Sequence, residues 1–200
     1  MSLLLETIKI ENRSFRNAEF HNQRMNRARK DLFGITSKVD IHELIKIPKG
    51  MGMGTFKCRI LYDDKIREIQ LLPYQTRSIN SLKLVVDNDI DYQYKYSDRS
   101  LLENLLLKRD TCDDILIIKN GCVSDTFSAN ILFQSHEGHW FTPDTPLMRG
   151  TMRQFLLDEG RISEKRIRPE NFDSYTQVRL VNCLMDMETG PSFPIKNIHP

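Results

Sequence analysis

Lys95 stands between two tyrosines in Tyr94-Lys95-Tyr96. Desolvation beside aromatic rings disfavours an ammonium, so such a lysine loses its proton more readily and can form a Schiff base with a carbonyl. The plainer reading of the same triplet is a surface lysine flanked by half-buried tyrosines. A second candidate is Gly150-Thr151-Met152-Arg153, which opens a helical run. The exposed N–H groups and the dipole of a helix start attract anions, phosphate above all. A third is Asp125, on a β-type run that follows Asn120-Gly121 and precedes Phe127. An acid there is either solvated or turned inward for function, and alternation alone leaves both open.

The elements that would hold these residues can be read from periodicity and turn residues. Leu3 to Ile10 is a strand, and His21 to Phe33 a helix with Met25, Ala28, Leu32 and Phe33 at helical spacing and Gly34 as its stop. Asp40 to Lys46 predicts a short helix, and Lys49 to Gly54 a flexible glycine-rich connection without the Lys-Ser/Thr ending of a P-loop. Thr55 to Tyr62 and Ile66 to Leu72 pair around Asp63-Asp64, and Leu82 to Val86 is a further strand. The polar stretch 87–93 reads as an inter-domain linker between lobes at 1–86 and 94–200.

Beyond it, Leu101 to Lys108 is a leucine-rich helix that Asp98 or Ser100 could cap. Ile115 to Ile118, the Asn120-Gly121 turn, Cys122 to Thr126, Asn130 to Gln134 and Trp140 to Thr142 read as an antiparallel meander. Thr151 to Glu159 and Asn171 to Tyr175 are helices, and Val178 to Met185 a closing strand. The expected class is α+β in two small lobes, an N-terminal α/β lobe and a C-terminal antiparallel β-rich lobe with helices.

Composition bounds the partners. Among 200 residues, 29 Lys and Arg against 27 acids leave a net charge of +2, short of the basic excess expected of a nucleic-acid binder. No apolar run reaches the roughly 20 residues that span a bilayer, and the first ten residues lack the basic start of a signal peptide. The expectation is a cytoplasmic protein with reduced cysteines, because Cys58, Cys112, Cys122 and Cys183 are scattered. His136 and His139 flank Glu137-Gly138, which reads as a hairpin tip without a ligand set, so no metal is assigned.

Taken in order along nearly the whole chain, several short stretches resemble the class IV aminotransferase family, the fold-type IV enzymes. They are Glu6-Thr7-Ile8, His21-Asn22-Gln23-Arg24-Met25, Tyr94 to Arg99, Val123 to Phe133, Thr142-Pro143 and Leu147 to Arg153. That family includes branched-chain and D-amino-acid aminotransferases and 4-amino-4-deoxychorismate lyase. The resemblance implies a D-amino-acid aminotransferase-like fold, pyridoxal 5'-phosphate as cofactor, a small amino-carboxylate substrate and a homodimer. Lys95 matches the lysine that holds the cofactor as a Schiff base and shuttles the α-proton. Asp125 matches the acid that bonds the pyridine nitrogen and keeps it protonated. Arg24 matches an arginine on the cofactor phosphate, and the backbone of Thr151 and Met152 its helix-start cradle. Asn182 falls where the last strand nears the phosphate or the substrate carboxylate, and Arg59 where some members hold a substrate carboxylate.

The match departs from the family in places. Most members carry glutamate where this chain has Asp125, so its carboxylate must come about one methylene closer to the ring. Phe127 and Thr151 replace a small and an aliphatic residue, and the glycine-rich loop of branched-chain aminotransferases is absent. The implied activity is transamination of an amino acid or related amino-carboxylate. The alternatives are the lyase reaction, releasing 4-aminobenzoate and pyruvate, and a non-catalytic relative that keeps the fold as a binding module.

Overall fold

Residues 3–200 are described by a computed structural model. Near the start of the chain the alternation of side chains is already decisive. In β1 (Leu4–Glu11), Leu4, Glu6, Ile8 and Ile10 all turn to one buried face, the period of two that a strand imposes. β2 (Ser14–Phe15) folds back on it. The helix α1 (Ala18–Phe33) begins three residues earlier than its apolar stripe suggests, after Asn17 in the left-handed region. It buries Ala18, His21, Met25, Ala28 and Arg29 along one face and ends at Gly34, whose φ of +69° lets its N–H reach Lys30 O. α2 (Ile41–Leu44) is shorter than the predicted helix: Asp40 caps its start, and Ile45 leaves it in extended backbone.

β3 (Thr55–Tyr62) and β4 (Ile66–Pro73) form the expected hairpin around Asp63-Asp64, giving an antiparallel sheet in the order β2-β1-β3-β4. The core of this unit joins Leu4, Ile8 and Ile10 to Met25, Ile41, Cys58, Ile60 and Tyr62. The loop from Lys49 to Gly54 connects these parts as expected, but Arg13 fastens it by donating to Lys49 O at 2.5 Å.

The boundary between the units differs from the predicted one. The first comprises Met1–Thr76 with Tyr94–Asp98, and the second Arg77–Gln93 with Arg99–Pro200. β5 (Leu82–Val86) lies in the second unit, because its apolar residues pair in parallel with a later strand. Nor is 87–93 an open linker there. Asp87 caps the N–H groups of Asp89 and Ile90, while Ile90 and Tyr92 are buried. The segment after it returns to the first unit: Leu5 N–H donates to Lys95 O at 2.8 Å and Ser97 N–H to Leu3 O at 2.9 Å. Tyr94–Asp98 thus occupies the edge of β1 that β2 covers farther along.

The second unit continues with α3 (Ser100–Leu106), whose N-cap residue is Arg99. β6 (Asp114–Lys119) and β7 (Cys122–Thr126) follow, joined by Asn120-Gly121 with both φ angles positive, as the tightest hairpin turn demands. β8 (Asn130–Ser135), β9 (Trp140–Pro143), α4 (Thr151–Asp158), β10 (Ser163–Lys165), β11 (Tyr175–Val181), β12 (Ser192–Pro194) and β13 (Ile198–His199) complete it.

The predicted meander is split into two sheets, β13-β5-β6-β7 and β10-β9-β8-β11-β12. The chain changes sheet in the turn 127–129, where Thr126 Oγ1 both donates to Ala129 O and accepts from its N–H. A core including Leu82, Leu116, Ile118, Ile131, Phe133, Val178 and Leu180 fills the space between the sheets, and α4 covers the far face of β8 and β11. The run around Asn171 is a 3-10 helix over Pro169–Ser174. The last predicted strand starts earlier and stops at Val181, because Asn182 turns the chain. His136 and His139 lie at the β8–β9 hairpin tip, and among the described residues no helix is long and apolar enough to cross a membrane.

Candidate active site

Lys95 accepts at its backbone carbonyl from Leu5 N–H and is half-buried, with Tyr94 and Tyr96 packed against the core of the first unit. The two tyrosine rings meet edge-on at 6.2 Å, and Tyr94 donates to Asp31 at 3.2 Å. The same unit holds Arg24, where Glu6 collects two partners. His21 Nδ1 lies 2.5 Å from Glu6 Oε1; Arg24 donates through Nε to Oε2 at 3.2 Å and through Nη2 to Oε1.

Burial opposes the Glu6 charge, but Arg24 and His21 outweigh it and hold the carboxyl at about 2. Burial pushes His21 down, against the pull of Glu6, and the cations of Arg24 and Lys95 push the same way. His21 is therefore neutral, and its Nδ1–H donates to Glu6. Arg59 is not part of this cluster. It pairs in register with Thr7, on the sheet face opposite Glu6, and donates to Gln70 Oε1 at 3.3 Å.

The second unit holds Asp125, Thr151, Met152 and Asn182. Asp125 is 7% exposed. Its Oδ1 accepts from Asn130 Nδ2 at 2.7 Å and its Oδ2 from Met148 N–H at 3.0 Å, and the same Asn130 amide donates to Met148 O at 3.0 Å. Thr145 and Ser124 bond the segment before Met148 to β7. Alternation did not decide where Asp125 points; the structure turns it inward. Thr151 and Met152 form the buried first turn of α4, behind Gly150 and without a side-chain cap.

Arg153, 1% exposed, donates to Pro143 O at 3.0 Å and to Glu164 at 2.5 Å, tying α4 to β9 and β10. Asn182 serves its own turn: Oδ1 accepts from Leu184 and Met185 N–H, and Nδ2 donates to Ser128 O. Sequence reasoning assigned no roles to Glu6, His21 or Asn130. The available signal was an acid at a core-facing strand position, with a histidine and an arginine three residues apart on the next helix.

Buried carboxyls make stability depend on pH. Burial pushes Asp125 up to about 6, against bonds from Met148 and Asn130, and Asp114 likewise to about 6. Both start from 3.8, so each contributes stability that is complete below pH ~4 and lost as pH rises through ~6, about 3 kcal/mol apiece. Glu6 runs the other way: its contribution is present above pH ~4.5 and lost toward pH ~2. In the cofactor-free protein the urea midpoint should fall between pH 4 and 7, and Asp125→Asn should remove about half of that fall. A wild-type midpoint flat across the range would contradict buried ionised carboxyls at both positions.

The sequence profile described as amino-transferase class IV matches residues 66–189. The chain belongs to the class IV aminotransferase family. Its relatives resemble it over most of its length. An uncharacterized protein of Haemophilus influenzae is 37% identical over 183 residues, covering 90% of this chain and 97% of its own. A candidate 4-amino-4-deoxychorismate lyase from Haemophilus somnus 129pt, solved as a crystal structure, is 32% identical with a TM-score of 0.84, covering 94% of this chain and 98% of that one. A hypothetical aminotransferase from Mycobacterium tuberculosis, in its PLP-bound form, shares the fold at a TM-score of 0.76 and 14% identity, covering 96% and 80%. The α+β class and fold-type IV architecture agree with these class IV neighbours.

The residues present suit pyridoxal 5'-phosphate. Its ring nitrogen needs a carboxylate in a dry setting, and Asp125 is a buried one whose bonds from Asn130 and Met148 leave lone pairs on both oxygens. Its phosphate needs N–H groups and cations, and α4 supplies a helix start with Thr151 and Met152 in its first turn behind Gly150. Its aldehyde needs an amine, which Lys95 carries.

Proposed function

We propose that the chain is a pyridoxal 5'-phosphate-dependent class IV enzyme acting on an amino acid or a related amino-carboxylate. The observation that carries this reading is Asp125: a carboxylate buried on an inward-facing strand, held by Asn130 and Met148 yet lacking a direct ion-pair partner among its hydrogen bonds. Such a group is costly unless something cationic binds it. When bound, the cofactor supplies a ring that accepts the electron pair left as the substrate loses its α-proton.

Asp125 would hold a proton at the ring nitrogen, and Lys95 would attach the group covalently and then carry the α-proton. Arg24 and the N–H groups of Thr151 and Met152 are assigned to the phosphate. Asn182 is assigned to the approach of the phosphate or the substrate carboxylate, and Arg59 to a substrate carboxylate. We expect a homodimer, which gel filtration tests.

The lyase reaction, giving 4-aminobenzoate and pyruvate, is the second reading, favoured by the 32% identity to the candidate lyase. One experiment separates these possibilities. Purified protein incubated with pyridoxal 5'-phosphate should become yellow, with a visible band that borohydride bleaches. It is then offered amino donors with a keto acid and, separately, aminodeoxychorismate. A new keto acid decides for the aminotransferase, and pyruvate with 4-aminobenzoate for the lyase. Protein that takes up no cofactor at saturating concentration overturns the proposal.

A further inference from the structure

Glu6 is hard to explain as a stabilising residue. It is completely buried on a strand whose neighbours on that face are Leu4 and Ile8. Replacing a buried ionic group by a well-packed apolar one is commonly neutral or stabilising. What the carboxylate does is geometric. Arg24 meets it with Nε and Nη2, one edge of the planar guanidinium, and His21 Nδ1 meets the same Oε1 from helix α1. A carboxylate gripped by two partners cannot swivel, and a guanidinium docked along one edge presents its remaining N–H groups in a fixed direction.

We propose that Glu6 is a positioning residue: it fixes the Arg24 guanidinium for a phosphate monoester, with neutral His21 as the clamp that fixes Glu6. This rests on the assignment of Arg24 to the cofactor phosphate. Two features of the cluster support it. An arginine side chain is flexible, so one already docked gives up less rotamer freedom when it binds an anion. The clamp also adds no charge, because His21 is buried and neutral. Glu6 and Arg24 carry opposite charges that cancel within the cluster.

That charge count makes the proposal sharp, because positioning and simple charge balance predict opposite results. Glu6→Gln keeps the shape and removes the negative charge. If Glu6 were only a counter-charge, the variant would be more positive and would hold a phosphate more tightly. If Glu6 positions Arg24, the variant holds it more weakly.

The probes are pyridoxal 5'-phosphate and pyridoxal, which lacks the phosphate, each titrated by absorbance into wild type, Glu6→Gln, Arg24→Ala and the double variant. Positioning predicts that Glu6→Gln weakens pyridoxal 5'-phosphate on the order of tenfold and leaves pyridoxal within about twofold. The double variant should bind no worse than Arg24→Ala alone, since the two act as one unit. Glu6→Asp keeps the charge but draws it back by one methylene, so it should also lose phosphate-dependent affinity; it serves as the second variant should Glu6→Gln fail to fold. Unchanged or tighter pyridoxal 5'-phosphate binding by either variant overturns the proposal while the cofactor reading stands, and so does an equal loss for both aldehydes. A wild type that binds neither aldehyde overturns both.

Discussion

Lys95→Ala should give a folded protein with no turnover. The backbone bonds from Leu5 to Lys95 O and from Ser97 to Leu3 O do not involve the side chain, and alanine is compatible with an edge segment. The rings of Tyr94 and Tyr96 remain packed on the core. Thermal stability should therefore stay within about 1 kcal/mol of wild type. Chemistry should not survive, because one side chain is assigned both the covalent attachment and the proton transfer. Loss of a positioned acid–base group alone removes about 10²- to 10⁴-fold in rate, and loss of attachment adds to that. The measurements are the visible band after reconstitution, which should be missing, and turnover in the donor assay, which should fall by at least about 10³-fold. A Lys95→Ala protein that keeps a borohydride-sensitive band would move the attachment to another lysine.

Gly150→Ala should produce a large loss of stability from a single methyl group. Gly150 has φ −68° and ψ 146°, values any residue adopts, so backbone strain is not the reason. Contact is. A Cβ there would lie 2.0 Å from Asn130 Oδ1. That amide cannot swing away cheaply, because its nitrogen is bonded to both Asp125 and Met148 O. Either α4 moves off β8 or the Asp125 bond breaks.

The expected cost is about 2–3 kcal/mol, which in a chain of this size lowers Tm by roughly 5–10 °C. Cofactor affinity should fall with it, since both Asp125 and the helix start are displaced. Asn130→Ala removes the colliding oxygen, so Gly150→Ala made in that background should cost little further. The coupling, read by thermal unfolding of the four proteins, assigns the effect to this contact. Additive costs would exclude it.

Local signals carried much of the fold. Asn120-Gly121 predicted a tight hairpin, and both residues take the positive φ that such a turn requires. The stripe from Met25 to Phe33 predicted α1, and Asp63-Asp64 the β3–β4 turn. Partner choice was not local. The residues Leu82 to Val86 show a strand wherever they pair, and nothing in them says that the neighbour is β6 in parallel. The aspartates of 87–93 looked like linker because they are polar, yet Asp87 spends its polarity on the backbone of its own turn. The candidate residues were legible mainly through resemblance. Their supports were not: Asn130 matters because one amide bonds both Asp125 and Met148. Glu6 matters because a strand and a helix bring it to Arg24. Both depend on contacts that no single stretch of sequence contains.

The return of Tyr94–Asp98 to the edge of β1 has a consequence for how the protein is made. Synthesis runs from the N-terminus at about 5–20 residues per second, so residues 77–93 occupy the ribosome for roughly 1–3 s after Thr76 has been added. Through that interval the first unit lacks its last edge segment, and Leu3 to Leu5 wait for partners some ninety residues away. Closing so long a loop makes this a late event. Cutting the gene at the apparent lobe boundary would never permit it: a fragment ending at residue 86 lacks the segment, and the complementary fragment carries Lys95 without the strand on which it is seated. The residue assigned to the chemistry is among the last that the first unit receives.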